Sequence, residues 1–144
     1  MSRSLLDLEP QTQAKARALL LRVQKVGLIV AVYSTLRTYE EQAKLYAQGR
    51  TAPGEIVTKA RPGQSWHNFG RAFDVAFVSP ATGKLSWRPD YPWTKLGEMG
   101  EAVGLTWGGR WKRFPDLGHF QWEGGLTLAR ARVEYERGHP EVIA

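Results

Sequence analysis

The stretch Arg71 to Val78 reads RAFDVAFV, and it limits the possible folds more than any other segment. Successive side chains of a strand point to opposite faces. Phe73, Val75 and Phe77 therefore form one bulky apolar face that has to be covered. Ala72, Asp74, Ala76 and Val78 form the other, where a lone carboxylate stands between small neighbours with room around it. Material for a covering layer is available. The chain has 144 residues, 42% of them hydrophobic, enough for one domain whose core needs no covalent staples.

The remaining periodicities supply that layer. Ala16, Leu19, Leu20 and Val23 fall at i, i+3, i+4 and i+7 of a helix from Pro10 to Val26, with Gly27 as its stop. LIVAVYS, Leu28 to Ser34, is short and β-branched and predicts a strand. Thr38 with Glu41 is a capping-box pattern that starts a second helix running to about Gln48. The segment Arg50 to Ser65 is mostly loop, with Glu55 to Thr58 a candidate short strand. A third helix spans Pro92 to Val103, with Leu96, Met99 and Val103 on one side. LTWGGRW holds a short strand and a turn, Gly118 to Trp122 a strand, and Thr127 to Arg137 a last helix. Helices and strands mix without βαβ alternation. That predicts an α+β fold, a small, largely antiparallel sheet packed with helices, in a single domain over residues 1–144.

Several classes are set aside at this point. No run of about 18 apolar residues exists, so no membrane span is expected. The segment MSRSLLDLEP has no apolar core of a secretory signal, so synthesis in the cytoplasm is expected. The net charge of +6 suits anionic surfaces. The cations are scattered, RWKR at Arg110 to Arg113 being their longest cluster, and no motif supports nucleic-acid binding. Trp107, Trp111 and Trp122 are read as core rather than as a platform for sugars.

The chemistry-bearing residues gather around the first strand. In Gly118 to Trp122, Phe120 and Trp122 share one face and His119 and Gln121 the other. If the two strands are neighbours, Asp74 and His119 project into one pocket. His67 arrives from the turn before the first strand, where Gly70 permits a close approach. The chain has no cysteine, so any metal must be held by His, Asp or Glu. Two imidazoles and a carboxylate form a three-ligand set of the catalytic zinc type, with the fourth position left for water. Asp116, three residues before His119 in DLGH, offers a carboxylate for proton transfer. Arg37, just before the Thr38 cap, offers a cation for a developing oxyanion. On spacing alone, a structural histidine in an aromatic turn stands beside the metal reading.

The segment SWHNFGRAFD, with DLGH downstream, resembles the zinc peptidase family of D-alanyl-D-alanine carboxypeptidases, dipeptidases and L-alanyl-D-glutamate endopeptidases. It is most similar to the endopeptidase branch, which includes phage endolysins. LRTYEEQAKLYAQGR, IVTKARPGQSWHNFGRAFDVAF and GLTWGGRWKRFPDLGHFQW carry the likeness, over about Val30 to Trp122. The resemblance implies one Zn2+ per chain at the sheet, held by His67, Asp74 and His119. It implies Asp116 as acid/base and Arg37 as the transition-state cation, with Ser65 and Gln42 as substrate contacts. There are two departures: Thr35 stands where relatives often have glycine, and Arg110 where many carry an acid. The latter is expected to add charge near the cleft.

The resemblance therefore implies a peptidoglycan hydrolase that cuts the L-alanyl-D-glutamate bond of the stem peptide. A monomeric phage endolysin without a separate wall-binding domain is expected, made in the host cytoplasm and acting on the wall after release. The alternatives are a D-alanyl-D-alanine carboxypeptidase of the same family and a non-catalytic, zinc-containing wall-binding module.

Overall fold

The computed structural model describes all residues from Met1 to Ala144. Helix α1 spans Pro10–Lys25, strand β1 Val30–Ser34 and helix α2 Tyr39–Ala47. Strands β2 (Ala72–Val78) and β3 (Leu85–Ser86) follow, then helix α3 (Trp93–Ala102). Strands β4 (Thr106–Trp107) and β5 (His119–Gln121) and helix α4 (Leu128–Gly138) complete the order. The expected α+β class holds. The sheet runs β1-β2-β5-β4, with β3 also paired to β2, and every pairing is antiparallel. Thr38 makes the capping box at the start of α2, its hydroxyl accepting from Glu41 N–H while Glu41 returns a bond to Thr38 N–H. Glu55 to Thr58 forms no strand; the chain there is extended loop with exposed apolar side chains.

Strand β2 is the centre of the molecule, and its first six residues are buried. Phe73, Val75 and Phe77 meet Leu19, Val23, Trp93 and Leu96 from α1 and α3 in one core cluster. Phe73 stacks on Phe120 of β5 with ring centroids 5.7 Å apart, and Phe77 meets Trp93 edge-on at 4.8 Å. The opposite face of β2 turns Asp74 away from this core.

Helix α3 touches the sheet through residues that its apolar periodicity does not single out. Leu96 is fully buried, but the closest approach is made by Gly97 and Gly100. A Cβ at Gly97 would lie 2.1 Å from the Trp107 ring, and one at Gly100 2.3 Å from the Phe120 ring. Two glycines inside a helix each cost roughly 1 kcal/mol relative to alanine. That cost lets the two aromatic rings sit flush against the helix backbone. Gly97→Ala should therefore destabilise the protein by about 1–3 kcal/mol despite alanine's higher helix propensity. A urea unfolding midpoint equal to or above that of the parent would show that the contact is not tight.

Candidate metal centre

A turn, the strand that follows it and a strand 45 positions further on deliver the proposed ligands. Asp74 and His119 are direct cross-strand partners in the β2–β5 ladder, so the pairing itself places both side chains on one face. His67 sits in a single 3-10 turn, Trp66–Phe69. The Ser65 hydroxyl caps that turn by accepting from His67 N–H. Asn68 Oδ1 accepts from the N–H groups of Gly63 and Ser65. Gly70 then ends the turn in the left-handed region, at φ 67°. A Cβ there would stand 3.0 Å from the Asp7 carbonyl oxygen, so glycine's freedom is needed for both the angle and the close approach.

The hydrogen bonds around the two imidazoles fix their tautomers. His67 Nδ1 lies 2.8 Å from the Thr35 carbonyl oxygen, which only accepts, so Nδ1 carries the proton. His67 Nε2 is the ring nitrogen left for a metal, 3.2 Å from Asp74 Oδ2. Gln121 Nε2 donates to Glu123 Oε2 at 2.7 Å, which turns Gln121 Oε1 toward His119 Nε2, also at 2.7 Å. His119 Nε2 therefore carries the proton, and Nδ1 faces Asp74 Oδ1 at 3.0 Å. His67 Nε2 and His119 Nδ1 thus both face one carboxylate, all ligand atoms lying within 4.8 Å of one another. Burial lowers the proton affinity of His119, and Asp74, to which its Nδ1 can donate, more than restores it. A divalent cation satisfies all three ligands at once. The donor set and its outer hydrogen bonds fit a zinc ion. Burial by itself would raise the Asp74 pKa; the hydrogen bonds from His119 and His67 outweigh it and hold the carboxyl far below its usual range.

A cleft of about 560 Å³ opens over this cluster, and Arg37, Ser65, Asp116 and Trp111 line it with the three ligands. Asp116 rides on a loop pinned twice. Its own N–H donates to the Gly108 carbonyl oxygen at 3.0 Å, and the Trp107 indole N–H donates to the Leu117 carbonyl oxygen at 2.8 Å. A Cβ at Gly108 would lie 2.7 Å from the Asp116 carbonyl oxygen, so the glycine lets this loop close in. Burial raises the Asp116 pKa. His119 opposes that rise and the Asp74 charge adds to it. A raised carboxylate pKa suits a group that must both take and give a proton.

Arg37 borders the cleft. Its backbone N–H donates to the His67 carbonyl oxygen at 3.0 Å, and its carbonyl oxygen accepts from Asn68 Nδ2 at 3.0 Å. One guanidinium arm donates to Gln42 Oε1 at 3.0 Å, and the Nε is buried without a partner. Neither Glu40 nor Glu41 pairs with Arg37; those carboxylates pair with Lys44 and with the amino group of Met1. Gln42 is fully buried, its other end donating to the Ala60 carbonyl oxygen at 2.8 Å. It stands behind Arg37 and is not among the residues that line the cleft. Ser65 does line the cleft.

Arg110 also departs from expectation. It forms a two-pronged pair with Glu101 of α3, at 3.0 and 2.8 Å, and lies over the Trp107 ring. Its charge is spent away from the cleft. Thr35 needs no positive φ, so glycine's freedom is not required there. Of the three tryptophans, Trp107 is core and Trp122 packs against the core. Trp111 lines the cleft with its ring 5.0 Å from that of His119. Gln121 and Glu123 were not singled out as site residues, although Gln121 shares the His119 face. That shared face was the one available signal.

Comparison with known proteins places these residues in context. Residues 58–122 match a family described as D-alanyl-D-alanine carboxypeptidase. The peptidoglycan L-alanyl-D-glutamate endopeptidase CwlK of Bacillus subtilis is 37% identical over 123 residues, covering 80% of this chain and 73% of CwlK. The L-alanyl-D-glutamate peptidase of Listeria phage A118 is 32% identical over 83% of this chain; the match spans only 41% of that protein. Among solved structures, the L-Ala D-Glu endopeptidase ChiX of Serratia marcescens superposes with a TM-score of 0.61. It is 25% identical, with 84% of this chain and 86% of ChiX covered.

Proposed function

Because this chain belongs to the peptidase family of D-alanyl-D-alanine carboxypeptidases and peptidoglycan L-alanyl-D-glutamate endopeptidases, we propose that it hydrolyses the L-alanyl-D-glutamate bond of the peptidoglycan stem peptide. The observation that carries this reading is the convergence of two imidazole nitrogens and the Asp74 carboxylate at the floor of a cleft bordered by Asp116 and Arg37. The names of CwlK and the phage peptidase supply the choice of bond.

His67 Nε2, His119 Nδ1 and an oxygen of Asp74 would hold the metal. A zinc ion there supplies Lewis-acid chemistry, lowering the pKa of a water toward about 7 and polarising a carbonyl. Asp116 takes the proton from the attacking water and passes it to the leaving amide nitrogen, acting first as base and then as acid. Arg37 faces the carbonyl oxygen as it gains charge, its spare donors held in place by Gln42. Thr35 and Gln121 fix the imidazole tautomers, and Ser65 holds the turn that carries His67. Residues 1–144 act as one catalytic domain.

The likeness to a phage peptidase and the +6 charge, which suits anionic walls, support a proposed role in lysis by a phage. No helix is long and apolar enough to cross a membrane.

Mass spectrometry of purified peptidoglycan after incubation with the zinc-loaded protein tests the reading. New products that begin with D-glutamate are expected. Loss of a terminal D-alanine would move the protein to the carboxypeptidase branch. Intact muropeptides on several wall types would leave a wall-binding module.

A further inference from the structure

The cleft does not end at the metal ligands. Val57, Thr58, Lys59 and Trp111 line both the cleft over His67 and a second lobe of about 540 Å³ that runs out between two loops. Lys59 stands at this junction. It takes part in none of the protein's ion pairs, and its ammonium lies 4.8 Å from the centre of the Phe114 ring. Phe114 is three-quarters exposed and held at φ 53°, the one non-glycine residue with a positive φ. Arg113 lines the second lobe and no carboxylate does. The lobe is therefore apolar and cationic, while the cleft floor carries Asp74 and Asp116.

The chemistry of the substrate meets this asymmetry at one point. In an amide between L-alanine and a γ-linked D-glutamate, the free α-carboxylate sits on the carbon bonded to the scissile nitrogen. That anion must approach the side chains of Asp74 and Asp116, and a cation beside it offsets the repulsion. Arg37 and Lys59 are the only Arg or Lys side chains that line the cleft, the amino group of Met1 there being paired with Glu41, and Arg37 is tied to Gln42 and assigned to the carbonyl side. We infer that Lys59 reads the free α-carboxylate of the D-glutamate next to the scissile bond, so that the enzyme discriminates against stems in which this group is an amide. The inference rests on the endopeptidase reading above, and the leaving half of the stem runs past Lys59 into the second lobe.

The test compares two synthetic stem peptides, one with D-glutamate and one with D-isoglutamine, cleaved by the zinc-loaded protein, by Lys59→Gln and by Lys59→Arg. A charge-assisted contact of this kind is worth roughly 10- to 100-fold. The parent should favour the D-glutamate peptide by about that factor in kcat/KM. Lys59→Gln should bring the ratio close to one through loss on the D-glutamate peptide, and Lys59→Arg should keep much of it. Equal rates on both peptides for the parent overturn the assignment of Lys59 alone. So does a Lys59→Gln protein that slows equally on both, since that reports a structural role. Cleavage of neither peptide by the parent overturns the endopeptidase reading, and the assignment of Lys59 with it.

Discussion

Asp116→Asn should lower kcat by about 10²- to 10⁴-fold, the range that a single general acid/base supplies, and should leave the fold and the metal affinity nearly intact. The asparagine is close to isosteric, and the backbone bonds that pin its loop come from Gly108 and Trp107, not from the carboxylate. The amide neither takes the proton of the attacking water nor delivers it to the leaving nitrogen. At 1.36 kcal/mol per decade, the loss is roughly 3–5 kcal/mol of transition-state stabilisation. KM should change little, because the proton moves only on the way to the transition state. Steady-state kinetics on muropeptides check this. A variant that retains more than a tenth of the parent kcat would remove Asp116 from the chemistry.

Asp74→Ala should abolish both activity and zinc-dependent stabilisation. In the parent, zinc at about a hundred times its Kd should stabilise the fold by about 2.7 kcal/mol, which in a chain of this length is a rise of roughly 5–11 °C in melting temperature. Asp74 contacts both imidazoles, so its loss removes one ligand and the charge that holds the other two together. Thermal melts with zinc and with chelator read the metal site directly, without recourse to turnover. The two variants then separate two roles. Asp116→Asn keeps the melting shift and loses turnover; Asp74→Ala loses both. A full zinc shift in Asp74→Ala would move the metal elsewhere.

Much of the site was legible because β-strand geometry is simple. The alternation in RAFDVAFV assigns Asp74 to the face opposite Phe73 and Phe77, and the ladder pairs it with His119. The capping box at Thr38 and the glycine stops placed the helices to within a residue or two. What the strand pattern did not carry is three-dimensional support from outside the elements. The Thr35 carbonyl that orients His67 belongs to a loop 32 positions away. Glycines at positions 97 and 100 read as weak helix residues until Trp107 and Phe120 are seen against them. Gln42 was expected at the substrate, and nothing in the helix pattern shows that it is buried with Arg37 and the Ala60 carbonyl as its partners. Arg110 looked free because Glu101, its partner, sits nine residues back on α3.

Three hydrogen bonds cross between the segment Thr35–Arg37 and the turn that carries His67. Arg37, the proposed oxyanion donor, and His67, a proposed metal ligand, are thereby tied to one another with no hinge between them. Whatever opens and closes during turnover lies on the far bank, where Val57 and Phe114 are exposed. Solvent viscosity should then act on substrate entry and product exit alone, leaving single-turnover chemistry untouched. The half that carries the proposed chemistry is a fixed die, cut before any substrate arrives.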